Sequence, residues 1–168
     1  QLIWAKFFGT FTVVIFSILP TLVYLWSVRT LGSPVGNLDW GAAIGSFVGL
    51  LAIGAAYTAV ALMASALTPN NVVAFVLGVA LNFGMYLGFE SLADLYKFSG
   101  WELTVRTLGM NEHYLSMARG VLDLRDVGYF IGVVFLFIGL TLGVLAKNHL
   151  QQPWKKAFLW MAIGLVIA

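Results

Sequence analysis

Residues 7–28 (FFGTFTVVIFSILPTLVYLWSV) carry no charged side chain across 22 positions. As a helix rising 1.5 Å per residue, that run spans about 33 Å, enough to cross the hydrocarbon core of a bilayer. Similar runs recur at about 41–67, 72–89 and 127–146. A charge at the bilayer centre costs about 2.5–3.5 kcal/mol on insertion scales, so the charged residues mark where the spans end. Ten of the sixteen acidic and basic side chains fall in one island, residues 90–126. Only 10% of the chain is charged, against about 25% in soluble domains, and its mean hydropathy is +0.94. The expected fold is all-α, a polytopic transmembrane helical bundle with short interfacial helices in the island.

The chain in order adds detail. Trp4 and Lys6 suit an interfacial anchor. Pro20 lies inside the first run and predicts a kink, its freed backbone groups to be met by Thr12, Ser17 or a neighbouring helix. Arg29 ends the run, and 31–40 (LGSPVGNLDW) reads as a loop in which Asp39 caps the next helix. Gly41, Gly45 and Gly49 then stand four apart on one face. That stripe permits close helix packing in lipid; a flexible substrate path is the other reading. Thr68-Pro69-Asn70-Asn71 is a tight turn with strong stop and start chemistry. Asn82, Gly84 and Gly88 lie in the third run, Asn82 as interhelical hydrogen-bond glue or as a ligand group.

Within the island, Gly100, Gly109 and Gly120 separate short amphipathic pieces expected to lie on one membrane face. Asn111 is a candidate cap for 112–119, and Asp123 for the helix entering the fourth span. Arg119, Asp123, Arg125 and Asp126 form an alternating charge cluster. They read either as a solvated ion-pair network or as an external gate or docking surface. Gly139 and Gly143 form another small pair in the fourth span. Residues 147–156 (KNHLQQPWKK) are polar, and 157–168 begin a further apolar run of about 18 Å, expected as the start of a truncated transmembrane helix. The chain begins without Met and ends inside that run, which reads as a piece of a longer membrane protein.

Parity sets the topology. Lys6 and the cluster Lys147, Lys155 and Lys156 are separated by four spans and share a side, which the positive-inside rule assigns to the cytoplasm. All seven acids fall on the other side with the island. The chain is then expected to be a multi-pass membrane protein with the island extracytoplasmic.

Chemistry is sparse. No P-loop pattern and no His-Glu-x-x-His is present. His113 and His149 fall on opposite faces and cannot share a metal, so each reads as an interfacial polar residue. There is no cysteine, which excludes disulfides and thiolate chemistry, and a scattered net charge of +2 argues against nucleic-acid binding. The spans hold no Asp, Glu, Lys, Arg or His, unlike proton- or ion-coupled transporters.

The run RGVLDLRDVGYF (119–130) before the last span resembles the final external segment of ABC-2 type permeases, and in particular the gliding-motility-associated permease. LGSPVGNLDWGAAIGSFVGL (31–50), ASALTPNNVVAF (64–75) and GFESL (88–92) add to the resemblance, which extends over most of the chain. It implies the last four spans (residues 1–156) of a six-span permease subunit of an ATP-binding cassette transporter, one that moves substrate across the bacterial inner (cytoplasmic) membrane by helix rearrangement. It further implies a second permease copy or paralogue, and a cytoplasmic ATPase subunit that binds ATP and Mg, leaving no cofactor and no enzymatic activity in this chain. Thr68, Pro69, Asn70 and Asn71 would face the ATPase, and the third span would lie near the dimer interface. An extracytoplasmic accessory protein is a further possible partner, beside membrane lipid. The alternative is a non-transporting membrane anchor for an external assembly.

Overall fold

The computed structural model describes residues 2–32, 39–95 and 100–167, with side chains through Lys147. All regular structure among them is helical: α1 (Leu2–Ile18), α2 (Thr21–Leu31), α3 (Trp40–Leu67), α4 (Asn71–Phe83), a π-helical turn (Gly84–Gly88), α5 (Phe89–Leu95), α6 (Glu102–Arg106), α7 (Met110–Ala118) and α8 (Leu124–Ile167). Four helical stretches are long and apolar enough to cross a membrane: Leu2–Leu31, Trp40–Leu67, Asn71–Leu95 and Leu124–Lys147. The protein is a multi-pass helical membrane protein.

The first span bends at Pro20. Proline has no N–H, and the chain resumes with i→i−3 bonds, Leu22 N to Leu19 O and Val23 N to Pro20 O, both 3.1 Å. Thr21 Oγ1 donates to the freed Ile18 carbonyl at 2.6 Å. Thr12 and Ser17 do not reach the kink; they back-bond to Phe8 and Val13 one turn earlier. Beyond the bend, α2 buries no residue. Its end is tied to the next span by Arg29, whose guanidinium lies 5.6 Å from the Trp40 ring centre. The intervening loop falls outside the described residues at 33–38.

Helix α3 is the hub. Asp39 caps it by accepting from Ala42 N at 3.1 Å, and it packs against α1, α4, α7 and α8. Small residues make this possible: Gly45, Gly49, Gly54, Ala56, Ala59 and Ala64 are all buried. Facing them are Phe130, Val133, Phe137 and Ile138 of α8 and Met110 and Met117 of α7. With lipid outside, close packing rather than water exclusion holds these helices together. Between α1, α3 and α8 lies an apolar groove of about 420 Å³, walled by Trp4, Phe7, Val48, Ala55, Phe130 and Phe135.

Two element boundaries differ from the sequence reading. The third span does not stop at 89: it passes through the π-helical turn and continues to Leu95, carrying Glu90 and Asp94 into the polar island. Glu90 is tolerated there because Asn111 of α7 donates to it at 2.6 Å. The polar stretch 147–156 does not divide two helices either, since α8 runs unbroken from Leu124 to Ile167. Lys-Asn-His-Leu-Gln-Gln tolerates helix, so polarity alone does not stop it, and the helix continues through Pro153 as well.

Candidate functional site

The island folds into a cap, α5 to α7, seated on one end of α3 and on the first turns of α8. The Thr68–Asn71 turn lies at the opposite end of α3, so the chain has one polar end built from short helices and one built from a tight turn.

The cap is held first by glycine. α7 ends at Ala118 in a helix-stop arrangement: Gly120 adopts φ +85 and its N–H donates to Met117 O at 2.9 Å. This places Gly120 against the first turn of α3, where a Cβ would lie 2.7 Å from Gly41 C and 2.8 Å from Ala42 N. One turn on, a Cβ on Gly45 would strike the Met117 carbonyl oxygen, and one on Gly49 would lie 3.1 Å from the Tyr114 ring. Gly45 and Gly49 therefore pack against α7 of the same chain, while among the described residues a Cβ on Gly41 would meet only nearby Asp39. Ser46 Oγ adds a long 3.4 Å bond to Ala118 O.

The second fastening is polar and buried. His113 of α7 is 8% exposed and Asp126 of α8 is 6% exposed, with Nδ1 and Oδ1 2.7 Å apart. The other ring nitrogen, Nε2, lies 2.9 Å from the Thr107 carbonyl oxygen. A carbonyl only accepts, so Nε2 carries a hydrogen. A hydrogen must also sit between Nδ1 and the carboxylate, whether on the imidazole or on the acid. The pair therefore holds one shared proton and is neutral overall. Tyr129 stacks on the imidazole, ring centres 3.9 Å apart, and donates its hydroxyl to Leu108 O at 2.6 Å. Phe130 closes the ring's edge.

His113 is thus structural. In a hydrolytic triad Nε2 would face a nucleophile, whereas here a backbone carbonyl occupies it. Among the described residues no group of three His, Asp or Glu side chains could hold a metal ion.

The expected cluster separates into different roles. Asp126 is the buried partner of His113. Asp123 caps α8, its Oδ1 accepting from Arg125 N at 3.0 Å. Arg119 and Arg125 are exposed and form no ion pair among the described residues. The ion-pair network expected of these four is therefore absent: the buried pair goes to His113 instead. Asn111 does not cap α7, whose first turn has Gly109 before it and no side-chain cap; it reaches Glu90 on α5. Arg106 bridges Asp94 and Glu102, both at 3.3 Å, in partly exposed pairs worth at most about 1 kcal/mol.

In the third span, Asn82 Nδ2 approaches the Tyr57 carbonyl of α3 at 3.5 Å, and its Oδ1 is buried without a donor among the described residues. Gly84 and Gly88 open and close the π-helical turn, where a Cβ on either would meet no neighbour. The outward face of α4 is uncovered, with Val72, Phe75, Val79 and Phe83 more than half exposed. At the far turn, Asn70 caps α4 by accepting from Val72 N and Val73 N at 2.9 and 3.3 Å, and Thr68 Oγ1 accepts from Asn70 N at 3.2 Å. Pro69 and Asn71 are exposed.

The dyad was not legible in sequence. Its members are 13 residues apart and meet only because the chain reverses at Gly120. A weak signal was the Arg-Gly pair at 119–120, a common helix-stop pattern that predicts α7 and α8 turning back on one another. No protein-family model matches the chain, and comparison with curated proteins and with solved structures likewise finds no match.

Proposed function

We propose that the chain is the membrane-spanning permease subunit of an ABC-2 type transporter, paired with a second copy or paralogue and driven by a separate cytoplasmic ATPase. One observation carries the reading. Short helices between the third and fourth spans form a cap bolted to α3 and α8, above spans whose charged side chains lie only near their ends. Such a bundle offers neither a catalytic group nor a charged relay, so its work is the movement of helices, which must be powered from elsewhere. In this reading the cap is extracytoplasmic, and the Thr68–Asn71 turn faces the ATPase at the cytoplasmic end of the bacterial inner membrane. The uncovered face of α4 meets the second copy. A role in gliding motility or secretion is consistent with the resemblance of residues 119–130.

The turn separates coupling from folding. Thr68 and Asn70 spend their side-chain oxygens on the cap of α4, whereas Pro69 and Asn71 are free to meet a partner. The purified chain should hydrolyse no ATP, and turnover should appear in the complex with its ATPase. Pro69→Gly with Asn71→Ala should lower substrate-coupled turnover about tenfold, the equivalent of losing one good interfacial contact, while helix content is unchanged. Unchanged coupling in that variant would remove the turn from the mechanism.

The rival reading is a non-transporting anchor, favoured by Arg119 and Arg125, which the cap exposes with no ion-pair partner among the described residues. An anchor should bind an extracytoplasmic protein through these arginines, with no dependence on nucleotide.

A further inference from the structure

Beside the neutral His113–Asp126 pair, α7 and the start of α8 form an open pocket of about 270 Å³ lined by polar and charged residues. Arg119, Arg125, Glu112, Ser116 and Asp123 line it together with the dyad. Three of its charges are unspent. Arg119, Arg125 and Glu112 form no ion pair among the described residues, although they share one small pocket. Opposite charges gathered around a hollow without pairing are disposed to be paired by a ligand. With the dyad neutral, two guanidinium groups stand against the carboxylates of Glu112 and Asp123. The lining balances, which suits a ligand that itself carries both signs.

The surroundings say what else that ligand has. The pocket sits where the fourth span begins, and Val121, Leu122 and Leu124 next to it are 60%, 49% and 85% exposed. A polar pocket opening beside bare aliphatic side chains at the start of a span matches an amphiphile, headgroup in the pocket and chains along α8.

We propose that this pocket binds the zwitterionic headgroup of an amine-bearing phospholipid. Arg119 and Arg125 hold the phosphodiester, Ser116 adds a hydroxyl donor, and Glu112 takes the ammonium. Guanidinium groups suit the phosphate because each presents several N–H donors in one plane. The assignment is independent of the permease reading, since an anchor would have the same pocket.

The test is lipid retention by the whole chain in detergent, read by native mass spectrometry. It compares phosphatidylethanolamine with phosphatidylglycerol of identical chains. Phosphatidylethanolamine should be retained about tenfold better, the equivalent of one charge-assisted hydrogen bond. Glu112→Gln should abolish that preference, and Arg119→Ala with Arg125→Ala should lose retention of both lipids. Both arginines are exposed and, among the described residues, unpaired, so the helical spectrum of the double variant should match that of the parent. Equal retention of the two lipids, or retention unaltered by the double arginine variant, would overturn the site. Soluble glycerophosphoethanolamine should compete weakly. If it displaced the lipid at equal concentration, the chains would contribute nothing and the lipid assignment would fail.

Discussion

Replacing His113 by alanine should destabilise the protein by about 3–5 kcal/mol, the usual loss when one member of a buried ionic pair is removed and the other stays behind. The cost comes less from the lost bond than from what remains. Asp126 would be left 6% exposed with its partner gone, and the Thr107 carbonyl would lose its donor. The proton inventory makes a sharper prediction for the other partner. Asp126→Asn should cost less than about 1 kcal/mol, because an amide N–H can donate to Nδ1 while the neutral imidazole keeps its Nε2–H on Thr107. Asp126→Ala offers no such donor and should behave like the histidine variant. Thermal unfolding in detergent, followed by tryptophan fluorescence, would rank the three. If Asp126→Asn proved as damaging as His113→Ala, the shared-proton description of the dyad would be wrong.

Gly120→Ala is the second large effect, expected at about 2–5 kcal/mol. Two costs combine there. A left-handed conformation disfavours an L side chain by about 1–2 kcal/mol, and forcing a methyl into packed backbone adds about 1–3 kcal/mol. Gly100 separates the two, because it also has positive φ, +72, but a Cβ there meets nothing within 4 Å among the described residues. Gly100→Ala should therefore show the conformational cost alone, about 1–2 kcal/mol. Gly45→Ala shows the converse, a clash with the Met117 carbonyl in ordinary helix, where alanine would otherwise be favoured by about 1 kcal/mol. If Gly100→Ala and Gly120→Ala were equally damaging in the same unfolding assay, the seating of the cap on α3 would not be as described.

The spans and their caps were readable in sequence because they rest on local chemistry. An uncharged run of sufficient length is a span whatever surrounds it, and Asp39 and Asn70 cap helices through atoms two or three residues away. The bend at Pro20 was readable for the same reason. Which hydroxyl relieves it was not: Thr21 is nearer to the freed carbonyl than Thr12 or Ser17 once the kink is formed. The glycine stripe was visible as a packing face, but nothing in a spacing of four says whether α7 or another chain fills it. Helix ends were less legible in sequence than spans. Charge at Glu90 and in 147–156 suggested stops that the backbone does not make. The dyad lay furthest from view, because its neutrality depends on a carbonyl supplied by a third position, Thr107.

The permease reading predicts motion at the uncovered face of α4, and the chain's lack of cysteine makes that motion measurable. Val79, 53% exposed on that face, can be changed to cysteine as the single reporter in an otherwise unmodified chain. In membranes that also contain the partner ATPase, Val79→Cys should cross-link two copies, and the yield should change when a non-hydrolysable ATP analogue is added. A cross-link whose yield is the same with and without nucleotide would contradict the permease reading and favour a static anchor.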